Sequence, residues 1–202
     1  MLSLDDMTRQ VLEAFEHCIG RERFHIVGNS FGGLIALHLL NVVPERIETV
    51  MVSGSAAGLG RTLGVISKAS AALYRFLPPE TLIKLSYAQF GIPGPYRKLF
   101  HDDVLRTADA AFARKLTEAM MAFRLPSSVR VPVLAAVGQR ETFAAKQAAR
   151  KIARLPNGRG VLVPGVGHVW SLQAPDLFAA TVRAWTMQTV LPASLQPLYG
   201  RG

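Results

Sequence analysis

Five residues constrain this chain more than any others: Gly28-Asn29-Ser30-Phe31-Gly32. They fit the pattern G-x-S-x-G. A short apolar, partly β-branched run, Phe24-His25-Ile26-Val27, precedes them and reads as a buried strand. A longer apolar run, Gly33 to Leu40, follows and reads as a buried helix. A serine on so sharp a strand-to-helix turn is held in strained backbone, with its Oγ pushed out of the sheet edge. Glycines flank it because side chains there would collide. G-x-S-x-G by itself also arises as a plain Gly/Ser turn. The strand before it and the helix after it favour a functional reading.

A serine so placed needs a base and an acid, and the chain offers both in a fixed order. Val161-Leu162-Val163 reads as a strand, and Pro164-Gly165-Val166-Gly167-His168 follows it. A glycine-rich loop leaving a strand end can swing a histidine back over the serine. His17, His25, His38 and His101 lie in helices, in a strand or in the middle segment, where packing or surface roles are the simpler reading. Val131 to Val137 reads as another buried strand, and Gly138-Gln139-Arg140-Glu141 follows. Glu141 is the acid candidate by its order in the chain, its strand-end position and the preceding glycine. The competing reading is a solvated loop glutamate. No carboxylate follows the strand Ile47 to Ser53; the residues there are Gly54-Ser55-Ala56-Ala57.

These motifs, with Gln173-Ala174-Pro175-Asp176-Leu177-Phe178 opening a last helix after the histidine, resemble the α/β-hydrolase family. The resemblance implies a partial α/β-hydrolase fold: a mostly parallel sheet of about four strands with flanking helices. It implies Ser30 as nucleophile, His168 as base, Glu141 as acid and the Phe31 N–H as an oxyanion donor. The family commonly carries aspartate where Glu141 stands, so the reach to the imidazole differs by a methylene. The Asn29-Ser30 pair is similar to the elbow of hydrolases that cleave carbon–carbon bonds of ring-cleavage products. Only 27 residues precede Gly28, and no His-Gly occurs in the chain. The family's leading strands and second oxyanion loop therefore have no counterpart in these residues.

What does precede the motif is one helix. Met7, Val11, Phe15 and Cys18 share a face, Ser3 or Asp5 can cap the start, and Gly20 stops it. On that face Cys18 reads as core. Expected strands lie near 23–28, 47–53, 131–137 and 160–164. The organisation expected is 1–55 as the first core part, 56–128 as a helical cap insertion, 129–190 as the second core part and 191–202 as a loosely packed tail. Within the insertion, Thr62 to Leu77 and Glu80 to Phe90 read as helices broken by Pro78-Pro79, and Asp102 to Phe123 as one or two more. Leu63, Ile66, Leu73, Phe76, Leu77 and Phe90 could line an apolar pocket, or could equally be helix packing.

Composition removes several classes. Half of the 202 residues are hydrophobic, which argues for a packed domain. The net charge is +9, but the arginines are scattered without interleaved aromatics, so no nucleic acid is expected as partner. Lys146, Arg150 and Arg154 recur every fourth residue and read as a solvated helix face. One cysteine excludes an internal disulfide, and no Cys/His cluster suggests a metal. No cofactor is expected. No apolar run is long enough to span a membrane and the N-terminus is acidic, so a cytoplasmic location is the default. The expected ligand is a small molecule, apolar or acidic.

Two readings of function stand. One is a serine hydrolase acting on an ester-like or carbon–carbon bond. The other is a non-catalytic remnant serving as a binding or interaction module. In either, the strand at Phe24 would be an uncovered edge open to self-association.

Overall fold

The computed structural model describes residues 3–55, 78–107 and 110–198. The expected helix at 62–77, with Leu63, Ile66, Leu73, Phe76 and Leu77, lies outside them. Helix α1 spans Leu4–Ile19, strand β1 Phe24–Asn29, helix α2 Phe31–Val42 and strand β2 Ile47–Ser53. A helical insertion follows, with α3 at Pro79–Phe90, α4 at Arg97–Thr107 and α5 at Ala110–Ala122. Then come β3 at Val133–Gly138, α6 at Phe143–Ala153, β4 at Gly158–Val163, α7 at Trp170–Gln173, α8 at Pro175–Thr186 and β5 at Gln196–Pro197.

The strands form one sheet in the order β1-β2-β3-β4-β5. The first four are parallel and β5 runs antiparallel to β4. Parallel neighbours need crossovers, and the helices supply them while covering both faces. The β3 residues show the division by their period of two. Val133, Ala135 and Val137 join a core with Ile26, Leu34, Val50 and Ile152. Leu134 and Ala136 join another with Met51, Val163, Trp170 and Leu191. All six β3 residues are buried.

Strand β1 differs. Phe24, Ile26 and Gly28 are buried, while His25, Val27 and Asn29 are exposed. It pairs with β2 and, among the described residues, with no other strand. The run that reads as a buried strand is therefore half-exposed, and among the described residues it lies at the sheet edge, where the sequence reading expects it.

Ser3 caps α1 in a capping box with Asp6. Those hydrogen bonds from Ser3 hold the Asp6 carboxyl below the usual aspartate range. Cys18 is exposed, not core. The last turn of α1 runs past its packing surface, and residues 16 to 20 are all exposed. The segment after α8, expected to pack loosely, pairs with β4 through Gln196 and Pro197 and buries Leu191.

Candidate active site

The exits of β1, β2, β3 and β4 lie side by side at one edge of the sheet, and each contributes. Ser30 follows β1 with φ 53° and ψ −119°, a region seldom entered by residues with a side chain. Such strain costs about 1–3 kcal/mol. One well-buried core side chain offsets it at about 1.5–3 kcal/mol, and this sheet has many. The turn is tight because a Cβ on Gly28 would collide with the carbonyl of Gly32. The Ser30 N–H donates to Ser53 O at 2.8 Å, which pins the turn to the end of β2. No described residue accepts from the Phe31 N–H, the first of α2. That donor points outward from the positive end of a helix.

Glu141 follows β3. Its own N–H closes a turn onto Gly138 O at 3.1 Å, and Thr142 caps α6 by accepting from Ala145 N–H. The carboxylate is thus fixed between a strand end and a helix start. Its side chain is only 5% exposed. His168 follows β4, and its Nδ1 lies 2.9 Å from Glu141 Oε1. A carboxylate only accepts, so the imidazole carries its proton on Nδ1 and leaves Nε2 free to accept.

The acid and histidine loops are tied together along their length. Gln139 N–H donates to Val163 O, Arg140 N–H to Val166 O, and Gly165 N–H to the Gln139 side chain.

Strand β2 carries no member of the trio, yet its end holds them together. Gly54 has φ +56°, and a Cβ there would stand 2.6 Å from Glu141 Oε1 and 3.0 Å from His168 Nδ1. The Glu141–His168 pair therefore lies directly over the Gly54 backbone, one strand from Ser30. Ser53, fully buried, accepts from Ser30 N–H with its carbonyl and from the Trp170 indole with its Oγ at 2.5 Å. One residue so links the serine turn to the helix that follows His168.

The end of α3 closes over this edge. The Phe90 ring lies 5.0 Å from the His168 ring, tilted 37°. Of the apolar insertion residues named from sequence, Phe90 is the one that falls within the described residues.

The structure brings Glu141 and His168, the acid and base candidates from sequence, within hydrogen-bond distance of each other. Among the described residues Ser30 makes no hydrogen bond to His168, although both stand at the same sheet edge. Sequence reasoning gave no role to Gly54, Ser53 or Trp170, and met Gln173 only as part of the motif that opens the last helix. Gly54 follows an apolar strand directly, which is the one signal that could have marked it. Three of the four other histidines have side-chain partners away from this edge: His25 meets Thr49, His38 meets Asp5, and His101 meets Glu80.

The fold and this edge define a class, and sequence comparison agrees. The model of the alpha/beta hydrolase family matches residues 2–181. The chain belongs to that family. A relative from Caulobacter sp. (strain K31), named "Putative carbamate hydrolase RutD", is 26% identical over 190 residues, which cover 81% of this chain. The match spans 65% of that relative's length. Among solved structures, Rv0554 from Mycobacterium tuberculosis superposes with a TM-score of 0.75 at 20% identity, covering 94% of this chain and 74% of its own. The 2-hydroxy-6-oxo-6-phenylhexa-2,4-dienoate hydrolase BphD from Rhodococcus sp. strain RHA1 gives 0.72 at 19% identity, covering 91% of this chain and 70% of its own. At such identities these two likenesses speak for the fold alone. No helix among the described residues is long and apolar enough to cross a membrane.

Proposed function

We propose that this chain carries the chemistry of a serine hydrolase, with Ser30, His168 and Glu141 as its triad. The observation that carries the reading is the buried 2.9 Å contact between His168 Nδ1 and Glu141, lying over Gly54 beside a strained Ser30. His168 Nε2 takes the proton from Ser30 Oγ as the oxygen bonds to the substrate carbonyl carbon. The Phe31 N–H donates to the oxyanion that forms. The tetrahedral adduct collapses, and the leaving group departs with the proton held by His168. Water then repeats the sequence on the acyl-enzyme and frees Ser30. Glu141 holds the tautomer and stabilises the imidazolium.

The substrate proposed is small, apolar or acidic, with an ester-like or carbon–carbon bond next to a carbonyl. The carbamate in the Caulobacter relative's name would present the same kind of carbonyl carbon. The insertion between β2 and β3 serves as the cap, with Phe90 in its lower wall. The enzyme works in the cytoplasm.

A non-catalytic role is the second reading. It is favoured by β1 standing at the sheet edge, with no further strand beside it among the described residues to bring a second oxyanion donor. One missing donor typically costs about 10²–10³ in rate.

Fluorophosphonate labelling and p-nitrophenyl ester hydrolysis separate the two. Ser30→Ala abolishes both, His168→Ala nearly does, and Glu141→Gln costs less because the acid only orients and stabilises. Labelling that survives undiminished in Ser30→Ala removes Ser30 as nucleophile. Absence of labelling in the unsubstituted chain favours the non-catalytic role.

A further inference from the structure

Gln173, at the end of α7, is placed to do something that its partners define. Its Oε1 accepts from the Gly167 N–H at 2.6 Å. Its Nε2 donates to the Gly91 carbonyl at 2.6 Å. Gly167 is the residue before His168. Gly91 is the residue after α3, next to Phe90. A third bond runs parallel: Val169 N–H donates to Phe90 O at 3.3 Å. His168 is thus flanked by two backbone amides, one bonded to Gln173 and the other to the end of α3, with the Phe90 ring against its own.

The two partners fix the orientation of the amide. A backbone N–H only donates and a carbonyl only accepts, so Oε1 must face Gly167 and Nε2 must face Gly91. A glutamate could keep the first bond and would set a carboxylate oxygen against a carbonyl at the second. A methionine of similar length could keep neither. Gly91 is matched to this arrangement, because a Cβ there would collide with Gln173 Nε2.

We propose that Gln173 is a positioning residue. It staples the insertion's α3 to the histidine loop, so that the Phe90 wall and the His168 ring are seated as one unit. This rests on the proposed hydrolase reading where it concerns turnover, and on geometry alone where it concerns the staple. The acceptor half of the amide serves the histidine loop and through it the chemical step. The donor half serves the insertion and through it substrate capture.

Gln173→Glu and Gln173→Met separate the two halves. The first measurement is amide hydrogen exchange at Gly167 and Val169 in residues 1–202, which needs no turnover. In Gln173→Glu, Gly167 keeps its protection while Val169 exchanges about tenfold faster as α3 lifts. In Gln173→Met both amides speed up to that degree. Gly91→Ala, whose Cβ would push Gln173 Nε2 off the Gly91 carbonyl, reproduces the Gln173→Glu pattern with residue 173 unchanged. The second measurement is ester hydrolysis. Gln173→Glu raises KM about threefold or more with kcat little changed, and Gln173→Met also lowers kcat, by about tenfold. Wild-type exchange at both amides in all three variants overturns the staple. So does a Gln173→Glu protein whose two amides lose protection equally, because the halves are then not separable. If the unsubstituted chain shows no turnover, the hydrolase reading fails while the exchange result still decides the staple.

Discussion

Gly54 carries no reactive group, yet the Glu141–His168 pair is seated against its backbone. Its φ of +56° and the closeness of Glu141 and His168 both exclude a side chain. Gly54→Ala should lose on the order of 1–2 kcal/mol to backbone conformation alone, read from urea unfolding. Phosphonate labelling should fall further than that loss explains, because the added methyl displaces the Glu141–His168 pair. Labelling at the wild-type rate in a folded Gly54→Ala protein would show that the pair does not rest on this backbone. At this scale the sequence was informative wherever a residue acts through its neighbours in the chain. Ser30 was legible from the strand and helix around it, and His168 and Glu141 from the strands they follow. Ser53, Gly54 and Gln173 were not, because their partners lie far along the chain: Trp170 stands 117 residues from Ser53, and Gly91 stands 82 from Gln173. A periodicity cannot carry contacts at such separations.

Elements were legible in kind, and their ends moved for local reasons. Strand β3 starts at Val133 rather than at 131 because Pro132 has no N–H to give the ladder. Helix α4 starts at Arg97 rather than at Asp102 because the turn at Gly94–Tyr96 leads straight into it. The pairing of α3 with α4 has a titratable link that periodicity could not reveal. His101 on α4 reaches Glu80 on α3 with Nε2 and Asp102 with Nδ1, while Lys98 pairs with Asp102. Hydrogen bonds to Glu80 first and Asp102 second raise the His101 pKa above its ordinary 6.5. A raised folded-state value means that the link is fully present below the unfolded pKa and is lost as pH rises through the folded one. The contact between α3 and α4 should therefore loosen on going from mildly acidic to mildly alkaline pH. The groups are exposed, so salt should weaken the effect. An NMR titration of the His101 ring should give a midpoint above that of a free histidine and return it towards normal in Glu80→Gln. An unmoved midpoint in Glu80→Gln would remove the link.

At the scale of the whole molecule, the sheet ends at β1, which among the described residues has no strand on its outer side, and Val27 is 39% exposed on one face. Such an edge invites a second chain. The net charge of +9 opposes close approach, and salt screens that repulsion. Residues 1–202 should self-associate, more at high salt than at low, with Val27→Lys shifting the population towards monomer. Light scattering across an ionic-strength series reads this directly. A monomer at every salt concentration would show that the edge is not used.

The position of the serine turn gives that edge a second meaning. Ser30 and the Phe31 N–H sit where β1 ends, on the outermost strand. A strand added to β1 in parallel would finish level with Asn29, and the loop leaving it would arrive beside the Phe31 N–H. Assembly and reactivity would then share one address. The neighbour that quenches the open ladder would also be the one placed to bring a further hydrogen-bond donor to the oxyanion.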